Sequence, residues 1–210
     1  RTLFETDVNR RKVRAGVGVA TMQQLTAIDG VQYYLVIILK AAGVTKTDTI
    51  FTILVLIGVV KTSTIVVAGH LFDRIGRRTA LMTSNLGIAA SLFLMAIGIE
   101  GDIAGLTLTA ILLFMIFFSI GMGPGAWLVP SEVYSNDIRA KGMSLSTFAN
   151  RSMAVVVSSS FLSMMNTMEY GVFLFFAFLS IGSALYVYMY LPETRNLSLE
   201  QVHQQFVKKF

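Results

Sequence analysis

The chain has 210 residues, of which 54% are hydrophobic and only 14% are charged, and it contains no cysteine. An ordinary soluble domain carries about 25% charged residues, so this composition excludes a typical water-soluble protein. The lack of cysteine excludes a disulfide framework and cysteine-ligated metal sites, and the two histidines are far apart in sequence, so we expect no metal and no cofactor.

Six apolar stretches follow one another along the chain, each long enough to cross a bilayer. About 20 residues, rising about 1.5 Å each, cover the ~30 Å hydrocarbon core. Backbone amides cannot stay unpaired in hydrocarbon, so each stretch is predicted to be helical, and the alternating pattern of a barrel strand is absent. We therefore predict an all-α membrane protein with six transmembrane helices, over residues 16–39, 50–71, 80–99, 106–129, 143–165 and 170–191.

The segments between these stretches are basic on one side of the predicted membrane. Thirteen of the 17 Lys and Arg residues lie on that side, and the opposite loops hold only Lys40 and Lys46. Basic residues near span ends are retained in the cytoplasm, so both termini are predicted to be cytoplasmic. Residues 1–15 would form a basic segment, residues 16–191 the transmembrane bundle and residues 192–210 a cytoplasmic tail. The net charge of +5 then reflects topology, with membrane lipid rather than nucleic acid as the expected partner.

Three ionisable residues, Asp29, Lys61 and Arg151, fall well inside the predicted spans. An ionised group at the bilayer centre costs roughly 2.5–3.5 kcal/mol on insertion scales, so each needs an interior position with a partner or water. A purely structural ion pair between Asp29 and Lys61 is one interpretation. We favour a water-filled path through the bundle, with a solute site near the middle of the membrane.

The fourth span runs into the segment GMGPGAWLVPSEVY, residues 121–134. Pro124 lacks an amide donor and the neighbouring glycines lack side chains, so we predict that the helix bends or unwinds there. Trp127, the only tryptophan, has an amphipathic ring that suits stacking on the apolar face of a sugar-like solute. A position in the interfacial aromatic belt is the alternative.

Four segments in succession resemble the signatures of the sugar porter family of the major facilitator superfamily: QQLTAIDGVQYY (23–34), DRIGRR (73–78), GPGAWLVPSEVY through IRAKG (123–142) and LPETRNLSLE (191–200). They occur in order and cover nearly the whole chain. The resemblance implies the C-terminal six-helix half of a twelve-helix transporter, with the N-terminal six-helix half as its partner. The short segments AID, VVKT, FSIGMGP and ANR make it closest to plant-type polyol and monosaccharide proton symporters.

The resemblance also assigns roles by position. It places substrate contacts on amide, charged and aromatic side chains, namely Gln23, Gln24, Asp29, Lys61, Trp127 and Asn150. Amides offer both a donor and an acceptor to neighbouring hydroxyls, which suits a neutral polyhydroxy solute, although the two cations leave an anionic one open. The resemblance places a cytoplasmic gate of ion pairs on Asp73, Arg74, Arg77, Arg78, Glu132, Arg139 and Glu193. Loop charges that only set topology are the alternative for this second set.

The function implied by the resemblance is a secondary active carrier for monosaccharides or polyols that works by alternating access. Proton coupling and a plasma-membrane rather than vacuolar location are expected. A sugar sensor that does not transport and a facilitative hexose uniporter are the alternatives. We do not expect an enzyme, because the sequence has no nucleophile and base constellation, no run of metal ligands and no phosphate-cradling loop.

Overall fold

A computed structural model of the chain describes residues 3–195 and 197–208, with the side chains at positions 70, 71, 73, 199 and 208 outside the description. All regular structure in these two segments is α-helical, which confirms the predicted all-α class. The helices are α1 (Asp7–Leu25), α2 (Ile28–Tyr33), α3 (Leu35–Ala41), α4 (Thr47–Ile75), α5 (Arg77–Glu100), α6 (Ala104–Ile120), α7 (Met122–Val133), α8 (Arg139–Met168), α9 (Gly171–Tyr190) and α10 (Leu199–Lys208).

Four helical stretches of the described residues are long and apolar enough to cross a bilayer. They are Thr47–Gly69, Arg77–Glu100, Ala104–Val133 and Gly171–Tyr190, and they correspond to the second, third, fourth and sixth predicted spans. The first predicted span is divided among α1, α2 and α3, and the fifth lies in α8. Both of these contain buried polar side chains, which lower their apolar character.

The division of the first span begins at Ala27. This residue adopts a left-handed conformation with φ 64°, so α1 stops at Leu25 and α2 starts at Ile28. A side-chain-bearing residue in this conformation costs roughly 1–2 kcal/mol, which the surrounding packing must offset, and Ala27 is fully buried. The break differs from the predicted continuous helix, because alanine is a strong helix former and gives no sequence signal of a break.

The predicted bend in the fourth span occurs at Gly121, between α6 and α7. Ser84 of α5 holds the two ends together: its hydroxyl donates to the carbonyl oxygen of Phe117 at 2.7 Å and accepts from the backbone N–H of Met122 at 3.0 Å. A Cβ on Gly121 would collide with Ser84, so glycine is required for this close approach. Pro124 then lies in the first turn of α7, where its missing N–H has no intrahelical partner to lose.

The core is centred on α5, which packs against α6 and α9, while α1 packs against α7, α8 and α9. Phe114, Phe161 and Phe173 are fully buried within it. In contrast, α4 packs mainly against α6 and leaves apolar side chains such as Val55 and Val66 exposed. We refer to the side of the bundle at α4, where these apolar side chains are exposed, as its open side.

The C-terminal helix α10 folds back onto α1 and α7. Its side chains Val202 and Phe206 are buried, and the Arg11 guanidinium donates to the carbonyl oxygen of Phe206 at 3.1 Å. The hydroxyl of Ser198 accepts from the backbone N–H of Gln201 at 3.3 Å and so caps the helix.

Candidate functional site

A cleft of about 330 Å³ lies on the open side of the bundle, where the breaks in the first and fourth spans face α4 and α8. Five of the six substrate contacts predicted from the sequence line it: Gln23, Gln24, Asp29, Lys61 and Trp127. The sequence prediction did not include the other lining residues as contacts: Ile28, Gln32, Ile65, Phe118, Ser119, Gly123, Pro124 and Arg151.

The sixth predicted contact, Asn150, lies behind the cleft wall. It is fully buried, and its side-chain amide donates to the carbonyl oxygen of Ala20 at 2.7 Å and to Oε1 of Gln23 at 2.9 Å. Gln23 in turn donates to the carbonyl oxygen of Met122 at 2.9 Å, and Gln24 donates to Oδ1 of Asn150 at 3.3 Å. Asn150 therefore orients the two glutamines, and α1, α7 and α8 are joined by one polar network.

Two polar atoms beside the cleft have no protein partner. Oε1 of Gln24 and the hydroxyl of Ser119 are buried and make no hydrogen bond with the described residues. A buried polar group left unpaired costs about 1–3 kcal/mol, so each atom is a place where a hydroxyl-bearing ligand or water gains a hydrogen bond. Ser119 was not predicted as a contact. The feature of the sequence that could have identified it is its position two residues before Gly121, where the helix break turns the end of α6 toward the cleft.

The three charges inside the predicted spans all face the cleft. The Lys61 ammonium donates to Oε1 of Gln32 at 2.8 Å, and Asp29, one helical turn before Gln32, is close enough to interact with Lys61 electrostatically. The Arg151 guanidinium lies 5.5 Å from the centroid of the Trp127 ring. Two cations and one carboxylate give the lining a net charge of +1. The hydrogen bond of Lys61 goes to Gln32, and the direct ion pair with Asp29, the alternative interpretation of the sequence, is not formed within the described residues.

A second cluster lies at the cytoplasmic end of the predicted topology and is centred on Glu132. The Arg77 guanidinium donates to its carboxylate through Nη2 at 2.9 Å and Nε at 3.1 Å. The Thr194 hydroxyl donates to the other carboxylate oxygen at 2.8 Å. The side chains of Arg77 and Glu132 are 13% and 24% exposed, so this is a partly buried, two-pronged ion pair that joins α5 to α7.

Glu193 binds backbone N–H groups at the N-terminus of α5. Its carboxylate accepts from the backbone N–H groups of Arg77 at 2.8 Å and Arg78 at 3.2 Å, at the start of α5. A carboxylate at a helix N-terminus is favourable because it satisfies free N–H groups and opposes the helix dipole. A Cβ on Gly76 would lie 2.7 Å from Glu193, so glycine leaves room for the carboxylate.

Among the remaining predicted gate residues, the described side chains of Arg74, Arg78 and Arg139 make no hydrogen bond to Glu132 or Glu193. Arg74 is exposed and makes no ion pair or hydrogen bond within the described part of the chain. Nε of Arg139 donates to the carbonyl oxygen of Tyr134 at 3.3 Å. The side chain of Arg78 donates to the carbonyl oxygen of Tyr188 and stacks on its ring at 4.6 Å. The side chain of Asp73 lies outside the described residues.

Comparison with known proteins gives a family match over nearly the whole chain. The family model described as sugar (and other) transporter matches residues 1–206. Probable polyol transporter 4 of Arabidopsis thaliana is 36% identical over 210 residues, which are 97% of this chain and 40% of that protein. H(+)/hexose cotransporter 2 of Parachlorella kessleri is 30% identical over 201 residues, 90% of this chain and 37% of that protein. The chain thus spans about two fifths of the length of these curated relatives.

Solved structures give the same fold. The proton:xylose symporter XylE, a major facilitator superfamily protein bound to 6-bromo-6-deoxy-D-glucose, superposes with a TM-score of 0.84 at 23% identity, over 92% of this chain and 42% of that one. The inward-open conformation of the xylose transporter XylE from E. coli gives a TM-score of 0.81 at 21% identity, over 97% of this chain and 43% of that one. The described helices therefore have the arrangement of half of a major facilitator fold.

Proposed function

Since the chain belongs to the sugar transporter family of the major facilitator superfamily, we propose that it forms one wall of the solute path in a secondary carrier for monosaccharides or polyols. The chain spans about two fifths of its curated relatives, so the carrier requires a second, N-terminal six-helix half opposite the cleft. Relatives named for polyols, hexose and trehalose support a polyhydroxy solute. The family is one of transporters, and we assign no catalytic residue.

The observation that carries this proposal is the pair of unpartnered atoms beside the cleft. Oε1 of Gln24 accepts a hydrogen bond, and the Ser119 hydroxyl both donates and accepts, so both atoms suit the hydroxyls of a sugar or polyol. Asn150 fixes the amide of Gln24 before the solute arrives, which reduces the entropy lost on binding.

Trp127 contributes an apolar surface to the same cleft. Its side chain is 37% exposed, and Arg151 holds the ring through a cation–π contact. The C–H face of a sugar or polyol packs against such a ring while its hydroxyls reach the amides. This division between an apolar and a polar wall is typical of small-molecule sites.

We propose that the cytoplasmic cluster closes the inner end of the path in one of the two access states. Alternating access needs two states within a few kcal/mol of each other, and contacts present in only one state adjust that difference. The pair of Arg77 and Glu132 links α5 to α7, the helix that also carries the cleft residue Trp127. Glu193 adds the segment after α9 to the same junction.

Proton coupling is the further part of the proposal. Relatives named as an H(+)/hexose cotransporter and a proton:xylose symporter support it. Asp29 is the only carboxylate that lines the cleft in the described part of the chain, and it already has the Lys61 ammonium as an electrostatic partner. We therefore place the coupling acid in the other half, and Asp29 in solute binding. Both termini are proposed to be cytoplasmic and the membrane to be the plasma membrane.

Uptake by the full-length protein in proteoliposomes tests the proposal. The substrate panel contains hexoses, pentoses, linear polyols and inositol, with and without an imposed pH gradient. We expect saturable uptake that the gradient accelerates. Binding without uptake would replace the carrier by a sensor, and uptake indifferent to the gradient would replace symport by uniport. Protease protection of tags at each end tests the orientation.

A further inference from the structure

Arg14 of α1 is held against the last turns of α9 in a fixed position. Its guanidinium carbon lies 5.4 Å from the centroid of the Tyr190 ring. The Tyr186 hydroxyl donates to the backbone carbonyl oxygen of Arg14 at 2.8 Å, and the rings of Tyr186 and Tyr190 have centroids 4.7 Å apart. The two tyrosines thus fix both the backbone and the charged end of Arg14.

A glycine makes this arrangement possible. A Cβ on Gly18 would collide with the hydroxyl and ring of Tyr186, so only the absence of a side chain lets Tyr186 reach the backbone of α1. Gly18 lies one helical turn after Arg14, on the same side of α1. The contact between α1 and α9 is therefore built around the arginine.

The charge of Arg14 is not neutralised by the protein. Its side chain is exposed and forms no ion pair within the residues that the structure describes. Two other arginines in the basic segments do have a carboxylate partner: Arg10 is 3.3 Å from Asp7, and Arg77 is 2.9 Å from Glu132. The hydroxyl of Tyr190, whose ring contacts Arg14, also makes no hydrogen bond within the described residues.

The last turns of α9, which hold Arg14, also carry an exposed apolar surface. Leu185 and Met189 of α9 are 58% and 56% exposed, and α9 is apolar enough to span a bilayer up to Tyr190. Arg14 therefore stands at the depth where the hydrocarbon ends and the phosphates begin, on the predicted cytoplasmic side. The end of α9 thus combines an exposed apolar strip with a fixed guanidinium, which are the two parts that a phospholipid site requires.

We propose that Arg14 and the Tyr190 hydroxyl bind the phosphate of an anionic phospholipid of the cytoplasmic leaflet, with its acyl chains along Leu185 and Met189. Arg–phosphate contacts are charge-assisted and directional, and the anionic leaflet concentrates the ligand near a cation. Bound lipid would steady the junction of α1 and α9, and α1 carries Gln23 and Gln24 into the cleft. This lipid site requires only that the protein is inserted in a membrane, and it does not depend on which solute the protein carries.

Lipid retention by the full-length protein tests the site. Purified protein is equilibrated with phosphatidylserine or phosphatidylcholine, and retained lipid is counted by native mass spectrometry. We expect Arg14→Gln to lower phosphatidylserine retention at least fivefold and Tyr190→Phe to lower it by a smaller factor, with phosphatidylcholine little changed. Arg195→Gln is the matched control, because Arg195 is an exposed cation on the same predicted side without a tyrosine pair.

Three outcomes would overturn the proposal. Equal retention by Arg14→Gln and Arg195→Gln would show that any basic residue suffices. Equal retention of phosphatidylserine and phosphatidylcholine by the parent would remove the preference for an anionic lipid. Displacement of phosphatidylserine by millimolar inorganic phosphate would point to a soluble anion as the ligand. Because Tyr186 contacts the backbone carbonyl oxygen of residue 14, Arg14→Gln keeps that contact, and we expect its thermal stability in detergent to match that of the parent.

Discussion

The side-chain amide of Asn150 donates to Oε1 of Gln23 across 2.9 Å, and so connects α8 to α1 immediately behind the cleft. Asn150 has no surface in the cleft, yet it determines which atoms of the glutamines face the solute. This separates a residue that orients the site from those that contact the ligand.

Replacing Asn150 by leucine should therefore weaken solute binding without direct loss of a solute contact. It leaves Gln23 Oε1 without its donor and Gln24 Nε2 without its acceptor, at a cost of about 1–3 kcal/mol. We expect KM for uptake to rise about fivefold to 100-fold, at about 1.4 kcal/mol per tenfold. Asn85→Leu is the control: Asn85 is buried in α5 and donates to the Leu81 carbonyl, but it does not contact either glutamine, so KM should stay unchanged. Equal KM values for both variants would contradict the orienting role.

Ser119→Ala should lower the affinity for the solute without lowering the thermal stability of the protein. The hydroxyl has no protein partner, so its removal should leave the melting temperature unchanged or slightly higher, while affinity for the preferred polyol falls by about 0.5–1.5 kcal/mol. Ser180→Ala in α9 provides the comparison, because that hydroxyl donates to the Phe176 carbonyl at 2.9 Å away from the cleft. Thermal melts with and without substrate measure both effects. A destabilised Ser119→Ala with unchanged affinity would exclude Ser119 from the site.

Ala27→Gly should stabilise the protein. The left-handed conformation of Ala27 costs roughly 1–2 kcal/mol relative to a helical one, and glycine adopts it without that penalty. Because glycine also increases the entropy of the unfolded chain, we expect a net gain of about 0.5–1 kcal/mol. Ala20→Gly, within α1, should instead destabilise by about 0.5–1 kcal/mol. Melting temperatures in one detergent compare the two, and a loss of stability in both variants would mean that Ala27 is not strained.

The ion pair of Arg77 and Glu132 should show coupling in a double-mutant cycle. Arg77→Lys loses the two-pronged contact, Glu132→Gln loses the charge, and we expect a coupling free energy of about 0.5–3 kcal/mol from thermal stability. Variants at Arg10, whose contact with Asp7 is largely exposed, should couple by less than about 1 kcal/mol. If the pair holds the inner gate, the same variants should increase labelling of a cysteine placed in the cleft from the cytoplasmic side. Coupling without a change in labelling would limit the pair to a structural role.

Lys12 should make stability depend on pH. It lies before the predicted first span and is fully buried, and this burial lowers the pKa of its ammonium below 10.5, while Asp137 opposes the shift. The folded chain therefore binds fewer protons than the unfolded chain in the interval between the lowered pKa and 10.5. Stability should rise as the pH increases through that interval. Lys12→Met should flatten this rise, whereas Lys46→Met, at an exposed cation, should not. Parallel pH profiles for the parent and Lys12→Met would exclude the effect.

The sequence was sufficient to predict the cleft residues that are charged, because a charge is costly inside a membrane. Asp29 and Lys61 stood out because charges within an apolar span need an interior position, and both line the cleft. Ser119 was missed because a single serine in a transmembrane helix is ordinary, and only the turn at Gly121 directs it toward the cleft. The break at Ala27 was missed for a related reason: tertiary packing imposes a conformation that alanine does not favour by itself.

Glu193 follows the C-terminus of α9, and its carboxylate accepts hydrogen bonds from the N-terminus of α5. One side chain therefore connects the end of one transmembrane helix to the start of another. Because α5 and α9 are also packed along their length, these two helices should travel as one rigid body during the transport cycle. Bending would then be confined to the two helix breaks, at Ala27 and Gly121. The distance between two spectroscopic labels, one on α5 and one on α9, should consequently not change when solute is added. The distance between labels on either side of Ala27 or Gly121 should change.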